Sequence, residues 1–271
     1  MPPALIDAFV ERLAREPAVL VSVQATQGSA PREAGAWMAV FGDALVGTIG
    51  GGHLELDAIA RARRALTGEA IEPLQRFALG PSLGQCCGGV VHLRFESLQP
   101  ADSMAVRTRL QAAADALRLP VALFGGGHVG HAIVQALLPL PVRVHWIDSR
   151  DEVFPGDLPR WIATEHSAPV QAAVADLAPH SRVLVMSFSH AEDLDIVAAC
   201  LQRQRERADL PFIGLIGSQS KWASFRHRLE ARGFAAAELA HITSPIGVAG
   251  VVGKEPEVIA AAVAAQLMQL R

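Results

Sequence analysis

The sequence has no tyrosine at all, and aromatic residues make up only 5% of its 271 positions. Without tyrosine there is no Tyr-Lys pair of the kind that many short-chain dehydrogenases use as their acid and base. Cysteine is equally scarce. The three cysteines, two of them adjacent as Cys86 and Cys87, cannot build the disulfide framework of a small secreted domain. A reduced, cytoplasmic setting is the expectation that follows. Charge is sparse too: 24 Lys plus Arg stand against 27 Asp plus Glu, a net charge of −3. No excess of positive charge is there to displace counterions from a nucleic acid, so nucleic acid is not an expected partner. With 51% hydrophobic residues the chain is too apolar to be disordered.

No secretory leader is expected, because Met1–Arg15 carries acids and lacks a continuous apolar core. The longest stretch free of Asp, Glu, Lys and Arg runs from Leu119 to Val142. Gly125, Gly126, Gly127, Gly130, Pro139 and Pro141 interrupt it, which suits a buried strand, a turn and a helix better than a membrane span. No membrane partner is expected.

The first hundred residues mix element types without regular alternation. Leu5, Ile6, Phe9, Val10 and Leu13 share one helical face, and Val19–Ala25 reads as a strand. Short strands at Ala36–Phe41 and Ala44–Ile49 flank a Gly42-Asp43 turn. A helix from His53 to Leu66 and strands near Leu74–Leu79 and Val90–Phe95 follow. That pattern predicts an N-terminal α+β domain over residues 1–100. A helix at Ser103–Leu117, within 101–118, connects the halves or belongs to one of them. From 119 to 271 apolar pieces at Val121–Phe124, Val142–Ile147, Val183–Phe188 and Phe212–Ile216 each precede a helical stretch. The fold class is therefore α/β, with a Rossmann-like parallel-sheet domain after the α+β domain. Ser189 and Glu192 have capping-box spacing, Ser218 or Ser220 would cap a later helix, and Pro256 opens the last one.

In the second half, Gly125, Gly127 and Gly130 follow a hydrophobic strand at G-x-G-x-x-G spacing, and Asp148 ends the next strand eighteen residues past Gly130. In such a turn glycine amides and a helix N-terminus receive a phosphate, while the carboxylate takes a ribose hydroxyl. Gly125, Gly127, Gly130 and Asp148 are thus candidates for an NAD(P) site, with His128 and His190 as candidate proton carriers. A purely structural glycine turn is the competing reading, since fold does not establish occupancy.

Three segments of the first half stand out. Gly28–Met38 sets Ser29 and a rigid proline beside Arg32, suited to bidentate binding of phosphate or a planar heterocycle. Gly47–Glu55 leads a strand into Gly50, Gly51 and Gly52, whose amides form a candidate anion nest, with His53 and Glu55 in the helix that follows. Gly80–Gly89 places Gln85, Cys86 and Cys87 among glycines. Adjacent cysteines lack zinc-site spacing; they are either thiolates able to meet a soft metal such as molybdenum or two small core residues. Cys200 is expected to be packing.

Taken in order, GSAPREAGAWM, GTIGGGHLE, GQCCGG, FGGGHVG with Asp148, and ITSPIG at 242–247 resemble the XdhC/CoxI family of accessory factors for molybdenum hydroxylases. The resemblance spans nearly the whole chain. The family's single cysteine before Gly-Gly maps to Cys87, and the extra Cys86 favours the XdhC branch. A Thr-His pair common in the family is replaced here by Ser187-Phe188, with His190 and Asp193 nearby. The resemblance implies a chaperone rather than an enzyme. Such a chaperone binds the molybdenum cofactor (molybdopterin), protects it during sulfuration by a cysteine desulfurase, and inserts it into the molybdenum subunit of apo-xanthine dehydrogenase. It assigns cofactor contacts to Ser29, Arg32, Gly50–Gly52, His53, Glu55, Gln85, Cys86 and Cys87. The alternative is a nicotinamide-nucleotide-dependent oxidoreductase working through the Rossmann-like domain. The many apolar helices raise the expectation of a homodimer.

Overall fold

A computed structural model describes residues 3–79 and 88–270 and divides the chain into two compact units, Met1–Ala116 and Leu117–Arg271. In the first unit, helix α1 (Pro3–Leu13) precedes strands β1 (Ala18–Gln27), β2 (Trp37–Val40) and β3 (Leu45–Gly47). Helix α2 (Gly52–Leu66), strands β4 (Leu74–Ala78) and β5 (Val90–Leu98), and helix α3 (Ser103–Ala116) follow. The five strands form an antiparallel sheet in the order β3-β2-β1-β5-β4.

The alternation of β1 explains why this sheet is covered on both faces. Val19, Val21 and Val23 point to one side and join Leu54, Ala58 and Ala62 of α2 in one core. Ala18 and Leu20 point to the other and join Phe9 and Leu13 of α1 and Val106 of α3. The helix at 103–116 therefore belongs to the first unit, held to α1 by that core and by an Arg107–Asp7 ion pair of 2.7 Å. One irregularity interrupts the β1–β5 register between Val23 and Ala25, just before the chain leaves β1 for the loop that carries Ser29 and Arg32.

The second unit is doubly wound. Its elements are β6 (Leu119–Phe124), α4 (His128–Leu137), β7 (Val142–Asp148), β8 (Ile162–His166), β9 (Arg182–Val185) and α5 (His190–Arg207). They continue with β10 (Phe212–Leu215), α6 (Gln219–Ala231), α7 (Ala236–Leu239), β11 (Ile242–Thr243) and α8 (Pro256–Gln269). All six strands are parallel, in the order β11-β10-β9-β6-β7-β8. From the neighbours β6 and β9 the chain winds outward in opposite directions, so the sheet has a topological switch point there. Val121 and Leu123 of β6 pack with α4 and α8 on one face; Ala122 and Phe124 pack with α5 and α6 on the other.

Strands β8 and β11 are not foreseen by the hydrophobic pattern. Only Ile162 is buried in β8, an edge strand, and β11 has two residues, so neither leaves a periodic trace. Among the described residues no helix is long and apolar enough to cross a membrane.

Candidate functional site

Two strand–turn–helix junctions carry the candidate residues. In the first unit, β3 runs through Thr48 and Ile49 into three glycines of positive φ, and α2 begins at Gly52. A Cβ on Gly50 would lie 2.3 Å from Pro31 Cβ and 3.2 Å from Arg32 Cγ, so the 28–35 loop rests directly on this turn. A Cβ on Gly89 would lie 2.2 Å from the Ser29 carbonyl oxygen, and one on Gly28 would lie 3.3 Å from Gly89 Cα. Three segments far apart in sequence thus converge at one end of the antiparallel sheet. Ser29, Arg32, Gly50, Gly52 and His53 are all exposed there, and Arg32 has no acidic partner among the described residues. Gln85, Cys86 and Cys87 lie outside the described residues.

The glycine amides are not all free to receive a ligand. Glu55 Oε2 accepts from the Ile49 amide at 2.9 Å, the Gly51 amide at 3.1 Å and the Thr48 hydroxyl at 2.5 Å. The Gly50 amide donates to Thr48 Oγ1. The expected nest is therefore filled by the chain's own carboxylate. Burial works to raise the Glu55 carboxyl, but the Thr48 hydroxyl and the Gly51, Ile49 and Gly50 amides outweigh it and hold it below the usual range. What stays open is the start of α2, which has no side-chain cap. Thr48 was not foreseen; its place seven residues before Glu55 carries no local signature.

In the second unit the three glycines divide their roles. Gly125, at φ 128°, is wedged against the Met186 carbonyl oxygen, which a Cβ would meet at 2.0 Å. Gly130 packs on the Gly125 carbonyl in the same way, at 2.1 Å. Gly127 is exposed, and nothing lies within 4 Å of where its Cβ would be. Trp146 secures the turn by donating its indole N–H to the Gly125 carbonyl at 2.9 Å.

Asp148 ends β7 beside this turn but is not an open ribose acceptor. It is 1% exposed, and both of its oxygens are engaged. Oδ2 accepts from the Gly126 amide at 2.6 Å and from Arg150 Nη2 at 3.0 Å, while Oδ1 accepts from Arg150 N and Nε, each at 2.9 Å. Burial works to raise its carboxyl; the Arg150 guanidinium and the Gly126 and Arg150 amides outweigh that and hold it low. Arg150, two residues on, is the group that sequence reasoning passed over.

The neighbouring β9–α5 edge is similarly self-satisfied. Asp193 is buried, accepts from the Ser187 amide and hydroxyl at 2.7 Å each, and pairs with Lys221 at 2.6 Å. Lys221 also donates to the Ile216 carbonyl, so it supplies no free positive charge at its turn, where Ser218 is a plain helix cap. Ser189 caps α5 by accepting from the Glu192 amide, yet the Glu192 side chain accepts from Ser149 instead of closing the box. His128 and His190 are exposed first-turn residues. Cys200 is fully buried, and burial pushes its thiol up to about 12, as suits a packing residue. Among the described residues no three His, Cys, Asp or Glu gather as a metal-binding set.

Comparison with known proteins gives these turns a lineage. Residues 121–267 match the model of the XdhC Rossmann domain, and residues 12–78 match that of the XdhC and CoxI family. The chain is similar to the uncharacterized protein YqeB of Escherichia coli (strain K12), at 26% identity over 267 residues. That alignment takes in 94% of this chain and 44% of YqeB, so the chain spans less than half of its relative's length. The fold is also that of a solved protein from Bacillus halodurans described as a xanthine dehydrogenase, with a TM-score of 0.71 and 19% identity over 100% of this chain and 96% of the other. With the Rossmann-domain match alone covering more than half of its length, the protein belongs to the XdhC and CoxI family.

Proposed function

We propose that this chain is an accessory protein that binds the molybdenum cofactor in its first unit. It holds the cofactor while a cysteine desulfurase supplies the terminal sulfido ligand, and then passes it to the molybdenum subunit of apo-xanthine dehydrogenase. Membership of the XdhC and CoxI family supports the accessory role. The observation that carries the cofactor reading is the convergence of the Ser29–Arg32 loop, the Gly50–Gly52 turn and Gly89.

The residues at that convergence fit the pterin and phosphate end of the cofactor. An exposed guanidinium without an acidic partner among the described residues can form paired hydrogen bonds to a phosphate or to a pterin edge. The uncapped start of α2 offers further amides, and its dipole favours an anion. Ser29 and His53 add polar groups at the same end of the sheet. Glu55 has a different part from the one its position in the sequence suggested: it ties Ile49 and Gly51 in place and so stiffens the turn. When bound, the cofactor supplies a thiophilic metal centre; the resemblance assigns Cys86 or Cys87 to that end.

The test is co-purification. Expressed in a host that makes the cofactor, the protein should carry pterin and molybdenum near one per chain, read by fluorescence after oxidative release and by elemental analysis. Arg32→Ala should lose most of both while melting like the parent. Wild-type protein free of pterin, from cells whose xanthine dehydrogenase is loaded, would overturn the reading.

A further inference from the structure

We propose that the chain binds an adenine nucleotide phosphorylated at its ribose 2′ position at the carboxyl ends of β6 and β7, with Arg150 selecting for that phosphate. The proposal concerns the second unit alone and is independent of the cofactor reading above.

Position comes first. Ligands of open parallel sheets lie outside the carboxyl ends of strands where the winding reverses, and here that place is bounded by the turn after β6 and the loops after β7 and β9. Within the turn, Gly125 and Gly130 are filled by backbone neighbours, whereas Gly127 faces open space and α4 has no side-chain cap. That is the distribution a phosphate needs to approach the amides.

Charge comes second. A nucleotide with a free 2′ hydroxyl needs an open carboxylate at the end of the second strand. Asp148 cannot serve, because each oxygen already accepts two hydrogen bonds, three of the four coming from Arg150. What stands at this position toward solvent is a cation. Arg150 is clamped through Nε and Nη2, lies over the Phe188 ring at 4.6 Å and keeps 37% of its side chain exposed. Its Nη1 has no hydrogen-bond partner among the described residues. A guanidinium immobilised along one edge presents its other edge to a phosphate and its plane to a purine without further ordering. Phe188, 68% exposed, widens that platform.

Beyond Asp148, whose carboxylate already pairs with the guanidinium, a second carboxylate opposes the phosphate. Glu192 acts on Arg150 through its charge, and one of its oxygens is held by the Ser149 hydroxyl at 2.7 Å. Its other oxygen is buried with no partner among the described residues. Removing that charge should therefore strengthen binding of the phosphorylated ligand.

Calorimetric titration of the full chain with NADP⁺ against NAD⁺, and with 2′,5′-ADP against ADP, tests the proposal. The phosphorylated member of each pair should bind about tenfold tighter. Arg150→Ala should abolish or reverse the preference within each pair, because it also frees Asp148 to accept a 2′ hydroxyl, and Glu192→Gln should tighten the phosphorylated ligands about threefold. Should Arg150→Ala fail to fold, the wild-type pairs and Glu192→Gln decide by themselves. Equal affinity within the wild-type pairs, no binding of any of the four, or a preference that survives Arg150→Ala would overturn the assignment. So would inorganic phosphate competing as well as 2′,5′-ADP, which would leave only a generic anion site.

Discussion

The two glycine turns solve the same problem with different chemistry. Each leaves backbone amides without strand or helix partners, and each places a carboxylate of its own chain on them: Glu55 on the Ile49 and Gly51 amides, Asp148 on the Gly126 amide. In the first unit the carboxylate is half-buried and its donors among the described residues are neutral. In the second it is buried and carries a guanidinium on both oxygens. A carboxylate that leaves water almost completely needs a countercharge, and Arg150 provides it; one that stays partly solvated needs only hydrogen bonds. The consequence is functional. The first turn leaves beside it an exposed arginine with no acidic partner among the described residues, while the second has its arginine anchored.

The largest expected effect separates the glycines themselves. Gly125→Ala combines an unfavourable φ with a 2.0 Å collision against the Met186 carbonyl, and should cost about 4 kcal/mol or prevent folding of the second unit. Gly51→Ala, whose φ of 75° and ψ of −168° suit glycine almost alone but whose Cβ would meet nothing within 4 Å, should cost less, about 2 kcal/mol. Urea denaturation of the two variants measures the contrast, and equal costs would dissolve it.

Next come the carboxylates. Asp148→Asn removes the countercharge of a fixed guanidinium and should cost about 2–3 kcal/mol, whereas Glu55→Gln, which strands no cation, should cost about 1 kcal/mol. Acid titration sharpens the point. Both carboxyls are held below their unfolded values, so their contribution is complete above the ordinary carboxylate range and is lost as pH falls through the lower folded values. Wild-type stability should therefore fall below about pH 4, and Glu55→Gln should show a shallower fall, measured by denaturation at stepped pH. The smallest effect is that of Arg32→Ala. An exposed side chain with no acidic partner among the described residues should change stability by less than about 0.5 kcal/mol, and a larger loss would mean that Arg32 holds the fold instead of awaiting a ligand.

Much of the architecture was legible because it is local. The alternation of Val19, Val21 and Val23 marks β1, and the apolar run Val121–Phe124 before Gly125 marks a buried strand entering a turn. The converging loops were legible only as separate motifs. That Gly50 carries the weight of Pro31, and Gly89 that of Ser29, depends on strand order in the sheet, which no spacing encodes. Asp148 shows the opposite limit: its place at the end of β7 was readable, but its role was not, because the outcome turned on where Arg150 points. Glu192 is a third case. Its capping spacing was real, yet its carboxylate turned to Ser149, across the sheet, in place of the helix start.

The sequence by itself determined the order of strands, turns and helices, the glycines at the two junctions and the family to which they belong, since hydrophobic period and backbone freedom act within a few residues. Tertiary structure alone decided which amides and carboxylates are already satisfied and which remain open. A buried polar group takes whichever partner the packing brings within 3 Å, and that partner lies as readily twenty-two residues away, as Asp148 does from Gly126, as it does next door.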